Sequence, residues 1–315
     1  MDTSHLLIPA AFALDLVLGD PHRWPHPVRL IGVALTKLEP AGQALPRPFR
    51  RAYGLAVAAL LGLAAYTLVS LLTGIHGVGL LLGVYFAYSG LALGQLLREA
   101  RNVSRLIRSG DLDAARVALS FLVSRDTSAL DEPDLWRTLA ETVSENFCDA
   151  FVAPMFYLAL GGPALLWFYK TVSTMDSMWG YKTRRFVDLG WAGARADDLL
   201  AWMPARLSAL LLIAAGFLMG LHARDACRHV AADAAKMSSP NAGWPMAAAA
   251  WLCGRRMGGP ATYFGEAVMK PVLGGDTANW ACQDVESLLR LILLSGFGML
   301  FLSVILHYTS VAFFS

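Results

Sequence analysis

The hydrophobic pattern of this chain is dominated by long stretches that carry no charged side chain. Residues 52–97 contain no Asp, Glu, Lys or Arg, and a helix needs about 20 apolar residues to cross a bilayer. The stretch is long enough for two spans, which the short Thr73–Gly77 turn would join. Four clear spans are predicted in all, at 53–73, 78–97, 207–223 and 291–311.

Two other apolar stretches are less regular. Leu6–Leu18 is short for a span, contains Asp15 and lacks the basic residues that begin a signal peptide, so we predict a short or partly immersed helix. Residues 150–169 are interrupted by Pro154 and by the Gly-Gly-Pro at 161–163. This segment either spans the bilayer or re-enters it, and the pattern alone leaves both open.

Small residues recur along the second predicted span at steps of three and four. Such a stripe lets another helix approach closely within lipid, so its predicted role is packing. Its members are Gly79, Gly83, Ala87, Gly90 and Gly94.

Basic residues on both sides of the 52–97 hairpin predict its orientation. Six Lys or Arg side chains precede the hairpin and four follow it closely, whereas the connecting turn has none. Because basic residues near span ends favour the cytoplasm, both flanks are predicted to be cytoplasmic. The four that follow form a helical stripe that is either an interfacial anchor or an anion site. They are Arg98, Arg101, Arg105 and Arg108.

Composition supports a membrane protein. Apolar residues make up 56% of the chain and charged residues 16%, against about a quarter charged in soluble domains. A net charge of +2 gives no reason to expect nucleic acid, and four scattered cysteines without a CxxC pair argue against structural zinc and disulfides. We predict an all-α, polytopic inner-membrane protein with four or five transmembrane helices and a single membrane-embedded domain, 1–315.

The polar segments between the spans are predicted to be helical and to carry the site on the cytoplasmic face. Gly110 and Asp111 end one helix and cap the next, and Asp131 with Pro133 opens a third. No segment shows sustained strand alternation. The segments are 19–51, 98–149, 170–206 and 224–290.

Three carboxylates recur every four residues at Glu141, Glu145 and Asp149, which places them on one helical face. Like charges at this spacing repel, so something must compensate them. One interpretation is a solvated face balanced by Arg125 or Arg137. The other is a Mg²⁺ site completed by substrate phosphates.

The 170–206 segment places ionisable groups close to a membrane boundary, where they are costly unless paired or functional. Lys170 and Lys182 could hold phosphate, and Asp176, Asp197 and Asp198 could bind metal. An interfacial network of ion pairs is the alternative.

Loops near both ends of the chain offer further candidates. In the last polar segment the proline and glycine content is typical of plain loops, yet exposed N–H groups with Ser, Asn and Lys side chains could cradle phosphate. In the first polar segment, His26 could form hydrogen bonds in a substrate pocket. The sequence contains no Walker-type P-loop and no GxGxxG run. The candidates are Asp20, His26 and Arg29 in the first polar segment and Ser239, Asn241, Tyr263 and Lys270 in the last.

Eight runs occur in order over almost the whole chain. They are Leu14–Pro21, Trp24–Gly32, Ser124–Pro133, Glu141–Asn146, Asp176–Tyr181, Trp191–Arg206, Ser239–Pro245 and Gly258–Glu266. As a set they resemble the adenosylcobinamide-phosphate synthase family of cobalamin biosynthesis.

The resemblance implies a ligase that uses ATP to join a propionate carboxylate of adenosylcobyric acid to the amine of (R)-1-amino-2-propanol phosphate. It implies ATP as co-substrate and Mg²⁺, with no tightly bound organic cofactor. Chemistry then suggests catalytic roles for Glu141, Glu145, Asp149, Asp176 and Lys170, the first three also as Mg²⁺ ligands. The substrate-binding candidates are Asp20, His26, Arg29, Arg125, Asp126, Tyr181, Lys182, Asp197, Asp198, Arg206, Ser239, Asn241, Tyr263 and Lys270.

Two other classes of function compete with the ligase. A carrier of an anionic cofactor would place polar residues within its spans, which the clearest spans lack. A non-enzymatic membrane regulator would not need so many carboxylates and lysines at one interface.

Because ATP and the corrinoid are cytoplasmic, we also expect 150–169 not to separate 98–149 from 170–206 across the bilayer. Expected partners are the lipid bilayer and other late cobalamin-assembly enzymes.

Overall fold

The computed structural model describes residues 6–21, 24, 26–263, 265–275 and 278–314, with side chains as far as His307. Pro25 and Phe264, which belong to two of the eight sequence runs, lie outside the described residues. The fold is 74% helical. The helices are α1 Leu7–Leu18, α2 Pro27–Ala44, α3 Arg47–Thr73, α4 Gly79–Gly90, α5 Leu93–Arg108, α6 Leu112–Ser120, α7 Glu132–Phe147, α8 Ala153–Trp179, α9 Trp191–Leu200, α10 Trp202–Leu218, α11 Ala223–Ala234, α12 Gly243–Cys253 and α13 Cys282–Phe314.

The described residues contain four helical stretches that are long and apolar enough to cross a membrane, or five if α9 and α10 together form one span. This confirms the all-α polytopic prediction. α1 is apolar but has only 12 residues, as the short first stretch suggested. The four stretches are Arg47–Thr73, Gly79–Arg108, Glu132–Trp179 and Cys282–His307.

The chain folds as two compact units. Unit 1 comprises the described parts of residues 1–92, 153–201 and 300–315. Unit 2 comprises those of residues 93–152 and 202–299.

In unit 1, α3 packs against α8 and α9. Leu35 of α2, Val57 of α3 and Trp179 of α8 are buried in one cluster, each less than 7% exposed. Four members of the predicted small-residue stripe, Gly79, Gly83, Ala87 and Gly90, are also buried in this unit along α4, whereas Gly94 is buried on α5 of unit 2. A Cβ on Gly83 would lie 3.1 Å from Leu7 of α1, and one on Gly90 only 2.1 Å from a Leu166 methyl of α8. The packing role of these glycines is therefore confirmed.

The predicted interruption within 150–169 is a break inside α8. Gly161 and Gly162 have non-helical backbone angles, and Gly162 has a φ of 67°. Pro163 follows, so the second half of α8 begins at a residue that cannot donate a backbone hydrogen bond. Whether this broken helix spans the bilayer or re-enters it stays a prediction.

In unit 2, α7 packs against α5, α6 and α12. The predicted helix starts are correct: Asp111 accepts the Ala114 N–H at 3.1 Å, and Asp131 accepts the Asp134 N–H at 2.9 Å. Each carboxylate satisfies one of the free N–H groups at a helix N-terminus. α7 ends at Phe147, where a π-helical turn, Cys148–Val152, continues the chain.

The helical prediction for segment 224–290 is wrong in one part, because this segment contains a β-hairpin. Strand β1, Met257–Tyr263, pairs antiparallel with β2, Glu266–Leu273. β1 begins with Met257, Gly258 and Gly259 all buried, so it lacks the apolar–polar alternation by which strands are recognised. A shift of register between Met257 and Gly259 further obscures the pattern.

Gly258 is a position where the hairpin requires glycine. Its φ is 86°, and a Cβ there would lie 2.0 Å from the Pro271 carbonyl oxygen on the opposite strand. We predict that Gly258→Ala lowers the midpoint of thermal unfolding far more than Gly110→Ala. Gly110 has a similar φ of 80° with nothing within 4 Å of an added Cβ, so its replacement costs only about 1–2 kcal/mol. Equal shifts would show that the hairpin is not held this tightly.

Candidate functional site

The interior of unit 2 holds a buried ion pair between a loop and α7. Arg125 donates from Nη2 to Oε2 of Glu141 and from Nη1 to Thr138 Oγ1 at 3.2 Å. Only 8% of Arg125 and 1% of Glu141 are exposed. Burial alone would lower the pKa of Arg125, but the charge of Glu141 and the Tyr263 hydroxyl outweigh it and raise that pKa. The guanidinium therefore stays charged in a dry environment.

Glu141 also ties the hairpin to α7. Its Oε1 accepts the Gly258 N–H at 2.7 Å and lies 3.7 Å from Nε of Arg137. Arg137 in turn donates to the Pro260 carbonyl at 3.1 Å. Both carboxylate oxygens of Glu141 are thus engaged, by two arginines and one backbone N–H. The predicted countercharges are present, but Glu141 is buried rather than solvated.

Glu145 lies one turn further along α7, where the charges of Lys270 and Arg125 act on it. Lys270 projects from β2 with its Nζ 5.1 Å from the centre of the Tyr263 ring. Within the described residues, Glu145 makes no side-chain hydrogen bond or ion pair. The structure therefore brings together a carboxylate with free oxygens, a lysine, a phenol and a buried arginine. We call Arg125, Glu145, Tyr263 and Lys270 the α7–hairpin cluster.

The geometry suits a metal ion that arrives on a substrate better than a resident one. No group of three or more His, Cys, Asp or Glu side chains in the described part of the chain is arranged to hold a metal ion. Glu141 is engaged, and Asp149 lies half-buried in the π-helical turn, beyond the regular helix. A single free carboxylate such as Glu145 is compatible with Mg²⁺, which proteins often hold through one or two carboxylates and substrate phosphates.

A second cluster in unit 2 surrounds Arg206 of α10. Its guanidinium lies 4.0 Å from the centre of the Trp202 ring and 4.7 Å from that of Trp244. It donates to Asn241 Oδ1 at 3.4 Å, and Ser239 Oγ accepts the Asn241 N–H at 3.3 Å. Three predicted residues thus meet here. Sequence reasoning missed the two tryptophans, although Trp202 stands four residues before Arg206 and so shares its helical face.

Asp126 has a local structural role in unit 2. Its carboxylate accepts the Ser128 N–H at 3.1 Å and the Ser128 hydroxyl at 2.8 Å. These hydrogen bonds lower the pKa of Asp126. Its backbone N–H donates to the Thr262 carbonyl at 2.9 Å, which joins this loop to β1.

In unit 1, His26 and Asp20 line a small cavity of mixed polarity. His26 caps α2 by accepting the Val28 N–H at Nδ1, 3.3 Å away, and its Nε2 lies 3.9 Å from Asp20. Tyr85 and Tyr88 of α4 complete the wall. Sequence reasoning missed both tyrosines, because the charge-free hairpin was assigned to packing alone. Their spacing of three on one helical face was the available signal.

Lys170 and Arg29 also act on His26 in unit 1. Burial lowers the pKa of His26, the charges of Lys170 and Arg29 lower it further, and Asp20 opposes them. The imidazole is therefore neutral at pH 7. Arg29 itself donates to the Trp24 carbonyl at 3.4 Å.

The lowered pKa of His26 predicts a pH-dependent stability. As the pH falls, His26 of the unfolded chain takes up a proton near pH 6.5, its ordinary pKa. In the folded chain His26 takes up that proton only at a lower pH. The stability contributed by the neutral, buried form is thus present above pH 6.5 and is lost as the pH falls toward the folded pKa. The unfolding midpoint of the wild type should fall more between pH 7.5 and 5.5 than that of His26→Asn, which keeps the helix cap. Parallel curves would contradict this assignment.

A second cluster in unit 1 lies where α9 packs on α8. Asp176 and Asp198 are close enough for their charges to repel. Asp198 is balanced by Arg195 at 3.2 Å and by the charge of Lys182. Asp176 makes no side-chain hydrogen bond or ion pair with the described residues. This arrangement keeps one carboxylate available beside a paired one.

The remaining predicted residues of this segment lie around the same cluster. The charge of Asp197 acts on Tyr157, whose hydroxyl donates to the Leu200 carbonyl at 2.9 Å. Tyr157 stacks on Tyr169 with ring centres 5.0 Å apart. Tyr181 is exposed at 37%, so it is accessible to a ligand.

Comparisons with known proteins agree along almost the full length. The family model described as CobD/Cbib protein matches residues 8–292. A cobalamin biosynthesis protein CobD from Yersinia enterocolitica is 41% identical over 304 residues, covering 94% of this chain and 96% of the relative. The CobD proteins of Photorhabdus laumondii and Pelobacter propionicus are each 40% identical over more than 90% of both chains. No solved structure matches.

The match includes both units and all four polar clusters, and it agrees with the resemblance carried by the eight runs. The chain belongs to the CobD/CbiB protein family.

Proposed function

We propose that the protein is a cobalamin-biosynthetic ligase that makes adenosylcobinamide phosphate from adenosylcobyric acid and an amino-alcohol phosphate at the expense of ATP. The observation that carries the proposal is the identity of 40–41% to proteins named for cobalamin biosynthesis over more than 90% of both chains. The clusters described above support it by offering the side-chain types that this reaction needs.

The reaction has two steps, because a carboxylate does not accept an amine at neutral pH. First, a carboxylate oxygen of the corrinoid attacks the γ-phosphorus of ATP, and the bond to ADP breaks. Second, the amine attacks the acyl carbon of the resulting acyl phosphate, and inorganic phosphate leaves. The amine loses one proton, so a base is required.

In unit 2, the α7–hairpin cluster is our candidate for phosphate handling. Lys270 and the buried Arg125 place positive charge where a phosphoryl group gains negative charge. Charge screening on the phosphates is what Mg²⁺ would supply, and Glu145 is the carboxylate of this cluster that would hold it. Tyr263 would orient the substrate. We assign Glu141 to positioning, since its two oxygens hold Arg125 and the hairpin.

Glu145→Gln tests this role without a change of shape. We expect turnover to fall by about 100-fold or more and the Mg²⁺ concentration for half-maximal rate to rise, because an amide is a weaker ligand than a carboxylate. Glu132→Gln, an exposed residue at the start of the same helix, is the matched control. Near-normal turnover in Glu145→Gln would remove Glu145 from the site.

The remaining clusters provide candidates for the other substrate groups. In unit 1, Asp176 has free carboxylate oxygens and is the proposed base for the amine, while Lys170 and Lys182 are proposed to bind phosphate. In unit 2, Arg206 and Asn241 are proposed to bind an amide or carboxylate of the corrinoid, since a guanidinium and an amide offer matching donors.

We further propose that the protein lies in the inner membrane with these clusters on its cytoplasmic side. The basic residues on both sides of the α3–α4 hairpin support this orientation. ATP is available only there, so an active site that uses ATP must open to the cytoplasm. A membrane location would also allow assembly with other late enzymes of the pathway.

The direct test is reconstitution of the reaction. Purified protein in detergent would be incubated with adenosylcobyric acid, aminopropanol phosphate and Mg²⁺, with and without ATP, and products identified by mass. We expect a product that forms only with ATP and whose mass equals that of the two substrates less one water. No product from folded protein, with ethanolamine phosphate tried as well, would contradict the proposal.

A carrier for an anionic cofactor is the second candidate. The observation that favours it is the break at Gly161 and Gly162, since interrupted helices form binding sites in many transporters. Corrinoid binding without ATP-dependent product in the same experiment would favour the carrier.

A further inference from the structure

We propose that the groove between α10 and α11 in unit 2 is a binding site for one anionic phospholipid. Its acyl chains would lie along the apolar side of α10. Its phosphodiester would lie between Arg224 and Arg228 of α11.

The groove is large and mainly apolar. It is an open groove with a volume of about 610 Å³, lined from α10 by residues that include Ile213, Phe217 and Leu218. Phe217 is 73% exposed and Leu218 75%, so neither is covered by the protein itself. In water this exposure of apolar surface would be unfavourable. Acyl chains remove that cost, and α10 belongs to a helix pair apolar enough to form a span.

The other wall of the groove carries positive charge. Arg224 and Arg228 are four residues apart, so they share one face of α11, and both are exposed. None of the eight lining residues is acidic. Arg228 has only a distant contact with Asp225, at 4.0 Å, and Arg224 forms no ion pair with the residues that the structure describes.

The combination selects the class of ligand. A zwitterionic phospholipid would fill the apolar wall, but its ammonium group would compensate the phosphate charge and repel the two guanidinium groups. Inorganic phosphate would bind the arginines but leave the apolar wall exposed. An anionic phospholipid, with a phosphodiester and no compensating ammonium, matches both parts. Guanidinium groups suit phosphate because their N–H groups form paired hydrogen bonds.

The matched control uses two arginines elsewhere on the protein. Arg101 and Arg105 of α5 are also exposed and four residues apart, but they do not line this groove. Arg224→Gln/Arg228→Gln and Arg101→Gln/Arg105→Gln therefore remove the same charge at the same helical spacing. A general attraction of basic residues to anionic lipid predicts equal effects, whereas a built site predicts unequal ones.

The experiment measures lipid retained by the full-length protein in mild detergent, by native mass spectrometry, with dioleoylphosphatidylglycerol or dioleoylphosphatidylcholine added. We expect one retained phosphatidylglycerol and a preference over phosphatidylcholine. Arg224→Gln/Arg228→Gln should weaken retention by about 30-fold, because each arginine near an anionic lipid raises the affinity roughly fivefold. The control pair should change it by less than a factor of about three.

Cys227 supplies an independent readout, because it is exposed and lines the groove between the two arginines. Phosphatidylglycerol should slow its reaction with a maleimide in the wild type and not in Arg224→Gln/Arg228→Gln. Equal protection by phosphatidylcholine, equal loss in both double variants, or retention of a second protein copy in place of lipid would each overturn the proposal.

Discussion

Replacing Arg125 by glutamine is expected to destabilise the protein by about 3–5 kcal/mol, because it leaves the Glu141 carboxylate buried without its main countercharge. Native proteins are stable by only about 5–15 kcal/mol, so this single change should remove a large fraction of the total. Glu141 is 1% exposed, so water cannot replace the lost guanidinium. The measurement is the free energy of unfolding in a fixed detergent.

A double-mutant cycle separates this ion pair from general damage. Glu141→Gln keeps an oxygen for the Gly258 N–H, and the double variant with Arg125→Gln buries no net charge at this pair. We expect the double variant to be more stable than the sum of the single changes predicts. The surface pair of Arg116 and Asp113, whose carboxylate side chain is 94% exposed, is the control. It should contribute less than about 1 kcal/mol, and equal effects at both pairs would contradict the account.

Lys270→Gln is expected to reduce ATP-dependent turnover by about 100-fold or more, since removal of one preorganised donor to developing charge typically costs this much. The Nζ of Lys270, on β2, lies over the ring of Tyr263, and the charge of Lys270 acts on Glu145. It is not part of the buried ion pair, so the variant should unfold near the wild-type temperature. Lys270→Arg should retain part of the activity, because it keeps the charge but not its position.

The control for this variant is Lys37→Gln, an exposed lysine on α2, which should leave turnover unchanged. Turnover and the KM for ATP should be measured separately. A loss confined to KM would assign Lys270 to ground-state binding of ATP. Unchanged values of both would remove Lys270 from the active site.

The sequence predicted the helical parts of the fold well because their signals are local. Charge-free stretches identify helices that lipid can surround, and Asp111 and Asp131 cap helices that begin beside them. The small-residue stripe of α4 was also recognisable, since close helix packing leaves a periodic mark on a single segment.

The hairpin was missed because its stabilising contacts come from distant parts of the chain. Gly258 donates to Glu141, 117 residues away, and the strand it begins shows no alternation. Glu141 was ambiguous for the same reason. A carboxylate every four residues fits both a metal site and an ion pair until the position of Arg125 is known.

The sequence predicted which residues belong to the candidate site, but not which of them lie next to one another. Sequence reasoning selected Arg125, Glu145, Tyr263 and Lys270 separately, and the fold brings them together. It did not find Tyr85, because a tyrosine in an apolar helix resembles an ordinary packing residue until a polar loop lies against it.

In the proposed reaction, phosphoryl transfer from ATP activates a corrinoid carboxylate before the amine attacks. Adenosylcobyric acid labelled with ¹⁸O in its free carboxylate would test this directly, with the inorganic phosphate analysed by mass after one turnover. We expect each amide formed to release one phosphate that carries a single ¹⁸O atom, because the attacking carboxylate oxygen leaves with the phosphate. Amide formation with unlabelled phosphate, or without cleavage of ATP, would contradict it.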